Sequence, residues 1–205
     1  MSRLNRIFQR TIVGITFLEL FCMLGSWVVS TVWPSLHLRS MLSDEGIRWF
    51  LGSFVGNHCR PLLLHAVLLG MAYGAVRGSG IIERVRGIVK RNEKATYRDR
   101  MALMAMVAEV AFFALCMVLL TSSPHATLLS ATGELWPSSF SRSLVPGFAF
   151  ILMVPAWTFG LLTRRIPSLS ACVDTLVEGL QWMAPLVVAY ISVGQLIYTI
   201  QFIFS

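Results

Sequence analysis

The sequence predicts an all-α integral membrane protein with about five transmembrane helices and two interfacial amphipathic helices. Three observations carry this. The 205 residues are 56% hydrophobic and only 13% charged, with a mean hydropathy of +0.70, whereas a soluble domain carries about a quarter charged residues. Several apolar stretches approach or exceed the ~20 residues a helix needs to cross a bilayer. Most of the 17 Lys and Arg residues also fall into three groups that share one side of a five-span topology, which is how orientation signals are placed.

A single membrane domain covers 1–205, and its spans are expected at about 11–33, 61–80, 101–121, 146–163 and 185–204. The first is too long for a signal-peptide core and lacks a small-residue cleavage site, so it reads as a retained helix. Pro34 closes it; Pro61, Pro146 and Pro185 open three of the others. The second and fourth are short and would span with help from their flanks or a locally thinner bilayer. Pro155 should kink the fourth and free a carbonyl near Ile151. The loop 122–145, with its Ser, Thr, Pro124, Pro137 and Glu134, reads as external, with a turn near Leu135 and Trp136.

One interfacial helix is expected over 43–57. Ser43 is a suitable N-cap, Asp44 and Glu45 suit the positive end of the helix dipole, and Ile47, Phe50, Leu51 and Phe54 recur at helical spacing. The other is expected over 168–183, where Leu169, Cys172, Val173, Leu176, Val177, Leu180 and Met183 form a stripe opposite Asp174 and Glu178. This segment is acidic, so it should rest partly on protein rather than wholly on an anionic leaflet.

The net charge of +7 does not point to nucleic acid, because no aromatic-interleaved basic face accompanies it. Arg3, Arg6 and Arg10, the basic linker 81–100, and Arg164 with Arg165 place the N-terminus in the cytoplasm and the C-terminus outside. Cys22, Cys59, Cys116 and Cys172 are dispersed without metal-ligand spacing and read as small hydrophobes. His58, Cys59 and His65 lack a fourth ligand, so neither a metal nor another cofactor is expected. No nucleophile elbow, phosphate loop or dinucleotide fingerprint marks an enzyme.

Glu19 and Glu109 lie inside spans, each eight residues in, roughly 12 Å deep. Intramembrane acids face protein or water and are either proton carriers or neutral acids hydrogen-bonded between helices. Glu19 shares a stripe with Thr16, Ser26 and Ser30 and suits a hydrated position; Glu109, among Ala105, Met106, Phe112 and Phe113, suits a neutral buried one. Were their helices neighbours, the two acids could share a proton. Ser192, Gln195 and Thr199 form a polar face that joins helices or meets a substrate. Gly70, Gly74 and Gly78 form a tandem GxxxG ladder for close packing, within the chain or between copies.

The run Leu42-Ser43-Asp44-Glu45-Gly46-Ile47-Arg48-Trp49-Phe50, with Asn57, Pro61, Leu62 and the glycines from Gly70 to Gly80, resembles the opening of the AbgT family of p-aminobenzoyl-glutamate transporters. Leu144-Val145-Pro146, Trp157-Thr158-Phe159-Gly160, Thr163-Arg164, the segment 173–183 and Gln195 are similar to a later part in the same order. The resemblance implies a bacterial inner-membrane transporter of p-aminobenzoyl-glutamate or a related organic anion or antimetabolite, proton-coupled and dimeric. Relative to that family the chain looks like a shortened form without the two re-entrant hairpins and their motifs, so no substrate-binding residue carries over and the chain is expected to need a homo- or hetero-oligomer. The alternative is a non-transporting membrane scaffold that pairs with another membrane protein through its glycine ladder.

Overall fold

The computed structural model describes residues 3–91, 94–122, 128, 136 and 138–205. Among them are seven α-helices and one short 3-10 turn, with no strand. The helices are α1 (Arg3–Val32), α2 (Asp44–His58), α3 (Pro61–Ser79), α4 (Ile81–Arg91), α5 (Tyr97–Ser122), α6 (Ser139–Leu162) and α7 (Leu169–Ile203). Five are long and apolar enough to cross a membrane: Phe8–Val32 within α1, and α3, α5, α6 and α7. None of the most apolar stretch of α5 is buried within the chain, as suits a helix whose solvent is lipid.

The contacts divide the chain into two units, Met1–Leu64 with Ala184–Ser205, and His65–Met183. In the first, the end of α1 is tied to the following loop by the Met41 amide, which donates to Ser26 Oγ at 3.0 Å. Met41, Phe202 and Ile203 form a small core joined by Cys22, Met23, Leu38, Trp49 and Phe50. Trp49 stacks on Phe202 with ring centres 4.7 Å apart, and the Arg39 amide donates to Ile203 O at 3.1 Å. Ser43 caps α2 by accepting from the Gly46 amide at 3.1 Å. Gly46 has no room for a side chain: a Cβ there would fall 2.5 Å from the carbonyl oxygens of both Ser40 and Met41.

In the second unit, the ladder of α3 lies against the first half of α7. A Cβ at Gly74 would fall 2.6 Å from Gly179 Cα, and one at Gly78 would meet the Thr175 side chain. Gly70 faces Met183 in the same way. Arg77 lies over the Trp182 ring at 4.3 Å. The turn after α3 places Gly80 at φ +67°, with the Arg165 side chain filling the space a Cβ would need. α5 and α6 pack together, with Phe113 edge-on to Phe150 at 5.2 Å.

Four elements differ from the sequence-based expectation. The segment 168–183 is not a separate helix: α7 runs in one piece through Pro185. At 1.5 Å per residue its 35 residues measure about 52 Å, against a hydrocarbon core of about 30 Å, so part of it projects beyond the core. The fourth span begins at Ser139 rather than Pro146, because Ser138 and Ser141 form a reciprocal capping box that starts the helix earlier. α5 also begins early: Asp99 accepts from the Thr96 amide at 2.8 Å, satisfying one of the orphan donors at the helix start. The basic linker contains a helix, α4, that hydropathy alone passes over. Of the expected external loop, 123–127, 129–135 and Pro137 lie outside the described residues, as does the suggested turn except for Trp136.

Candidate functional site

The helices of the first unit line the candidate cavity. α2 and the last third of α7 run antiparallel, anchored by Trp49 on Phe202 and by His58 against Ile191. Beyond the second anchor lies a cavity of about 570 Å³ lined by His58, Arg60, Tyr190, Tyr198 and Gln201, with Leu62, Leu186, Val193 and Ile197 among its apolar walls. This is within the range of small-molecule sites. No carboxylate of the described residues lines it.

His58 is buried, and both ring nitrogens face carbonyl acceptors: Nδ1 is 2.8 Å from Phe54 O and Nε2 is 3.1 Å from Ile191 O. The Tyr190 and Tyr198 rings stand edge-on to it at 6.4 and 6.2 Å. Gly194 makes the approach possible, since a Cβ there would already touch the imidazole at 3.4 Å. The Arg60 guanidinium lies 5.4 Å from the centre of the Tyr198 ring, held by a cation–π contact. The cavity therefore presents cationic and hydrogen-bonding groups beside two aromatic faces.

A neighbouring hollow of about 600 Å³ shares Tyr198 and Gln201 and adds Arg39, Arg48, Ser53 and Asn57. Glu45 is its one acid, 3.6 Å from Arg39. The Asn57 amide nitrogen is buried there without a hydrogen-bond partner among the described residues.

The sequence-selected residues fall in different places. Glu19 is half-buried on α1 and lines a groove of about 410 Å³ with Thr16, Met23, Met41, Ile47 and Phe50. Glu109 belongs to the other unit and accepts from Thr158 Oγ1 at 2.7 Å through Oε1, while its buried Oε2 has no partner among the described residues. The polar face of α7 divides: Ser192 turns back to Val188 O at 3.0 Å, whereas Gln195 and Thr199 are buried with their side-chain polar atoms unpaired among the described residues. Gly70, Gly74 and Gly78 serve the α3–α7 contact described above.

Sequence reading missed the cavity residues. By sequence, His58 suggests only a metal ligand and Arg60 belongs to no motif. The available signal was the spacing of Tyr190, Gly194, Tyr198 and Gln201, which recur every three or four residues along one face of α7. Among the described residues no group of three or more His, Cys, Asp or Glu side chains is placed to hold a metal ion.

Neither a curated protein nor a solved structure matches the chain. Residues 85–202 match the model described as the AbgT putative transporter family, a family of transport proteins rather than enzymes. The match covers most of α4, all of α5 and α6 and nearly all of α7, and begins after the Leu42–Ile82 region. With more than half of its length matched, the chain belongs to the AbgT family.

Proposed function

We propose that this chain moves an amphipathic organic anion of the p-aminobenzoyl-glutamate kind, or a related antimetabolite, across a bacterial inner membrane. Protons carried on Glu19 drive it, and it works as an oligomer with its N-terminus in the cytoplasm and its C-terminus outside. The family supports the class of activity. The observation that carries the substrate class is the cavity of His58, Arg60, Tyr190 and Tyr198. Its guanidinium suits a carboxylate and its rings suit an aromatic body.

The grooves beside α1 support the coupling, because Glu19 lines one of them rather than being sealed in a protein core, and intramembrane acids of this kind mark proton paths. The scaffold alternative finds no support in the glycine ladder, whose close-packing surface is taken by Thr175, Gly179 and Met183 of the same chain.

The test is uptake of labelled p-aminobenzoyl-glutamate into proteoliposomes under an imposed pH gradient. Wild type should accumulate the anion, and Glu19→Gln should lose gradient-driven accumulation while still exchanging substrate. Uptake no faster than in protein-free vesicles, with the protein folded, would reject the transport reading.

A further inference from the structure

We propose that α4 is an in-plane membrane anchor whose outer face binds anionic phospholipid headgroups. The helix is held close to the bilayer at both ends. Only Gly80 separates it from α3, and α5 begins at Tyr97.

Its inner side is docked on protein. Gly87 is buried and Ile81, Arg84 and Ile88 are half-buried. Arg84 pairs with Asp99, with Nη2 to Oδ2 at 2.6 Å, and also reaches Lys94 O at 3.4 Å. Glu83 accepts from Arg165 at 2.5 Å. These contacts fix the rotation of the helix about its own axis.

That rotation leaves Ile82, Val85 and Val89 outward, 50%, 36% and 74% exposed. They follow each other at three and four residues, so they form one stripe. Arg86 and Lys90 flank the stripe on one side and line the same shallow groove; neither has an acidic partner among the described residues. Three branched aliphatic side chains edged by basic ones is the pattern of a helix lying at the boundary of headgroups and acyl chains. The basic heads then reach lipid phosphates, while the aliphatic stems stay in the apolar layer.

The charge selects this occupant over a second copy. The chain carries a net +7, and another α4 would bring the same basic flank against the first. The inference concerns the membrane surface and holds whatever the chain transports.

The test uses the full chain in nanodiscs of phosphatidylcholine alone or of phosphatidylcholine mixed with phosphatidylglycerol, following amide hydrogen exchange over 81–91. Exchange should slow in the anionic discs and recover at high salt. Arg86→Gln and Lys90→Gln should each reduce the anionic-lipid effect about fivefold, from the worth of one basic charge at such a surface. Val89→Asp should remove protection in both lipids. Because the two charge variants lie on an exposed flank, they decide the matter even where Val89→Asp fails to fold. Equal exchange in the two lipids overturns the proposal. So does slowing that grows with the number of copies per disc, slowing produced by inorganic phosphate in neutral discs, or slowing that requires an added protein.

Discussion

The Thr158 hydroxyl donates to Glu109 Oε1 at 2.7 Å, linking α6 to α5. Removing the donor while keeping the acid leaves a buried carboxyl without its partner, a loss of about 1–3 kcal/mol. Thr158→Val should therefore lower the thermal midpoint of the purified protein in detergent by several degrees. The double variant with Glu109→Leu should recover much of the loss, since an apolar pair leaves nothing unsatisfied. Equal midpoints for wild type and Thr158→Val would remove this contact from the account of stability.

The α3–α7 contact makes a sharper prediction. A Cβ at Gly74 or Gly179 would meet the backbone of the opposing helix, which cannot retreat without separating the two helices. Gly74→Ala and Gly179→Ala should each destabilise by about 1–3 kcal/mol or more through overpacking. Gly147→Ala, where a Cβ meets nothing within 4 Å, should be neutral or stabilise by up to about 1 kcal/mol from helix propensity. Thermal denaturation of the three variants in one detergent separates the cases.

Asp99 has two tasks, accepting from the Thr96 amide at the start of α5 and pairing with Arg84 of α4. Asp99→Asn keeps a weaker acceptor for the cap and loses the charge, while Asp99→Ala loses both. The expected order of stability is wild type, then Asn, then Ala, with the last step worth about 1 kcal/mol, as for other caps. Hydrogen exchange at the first turn of α5 should rise in the same order.

At the cavity, Arg60→Ala should raise the KM for an aromatic carboxylate about tenfold or more, the usual cost of removing a hydrogen bond to a charged group. Arg60→Lys should recover only part, because an ammonium lacks the planar fork that stacks on a ring and grips a carboxylate with two bonds. Tyr198→Phe should be nearly silent if the ring face, rather than the hydroxyl, holds the guanidinium. Concentration-dependent uptake in proteoliposomes reads all three.

The five spans were legible because each is a long apolar run, and in lipid only closed backbone hydrogen bonding is tolerated. The start of α2 was legible in Ser43, Asp44 and Glu45, whose chemistry is local. Prolines misled: Pro146 and Pro185 were read as helix starts, yet both lie inside helices. A proline at the first turn and one in an interior look alike until the cap upstream is recognised. Ser138 and Ser141 supplied that cap for α6. α4 escaped because its basic residues dominate the average hydropathy while its aliphatic stripe is only three residues long. The cavity escaped because it joins residues more than a hundred positions apart, through a ring-to-carbonyl contact between His58 and Ile191 that no local pattern encodes.

The crowding at Gly46 bears on the meaning of the Glu45-Gly46 motif itself. The glycine is required because the preceding turn aims two carbonyl oxygens, those of Ser40 and Met41, at the place where a side chain would begin. Glu45, its neighbour, is exposed and serves the first turn of α2. The pair is a signature of how the chain folds back after α1, because only a residue without a side chain fits beneath those two carbonyls.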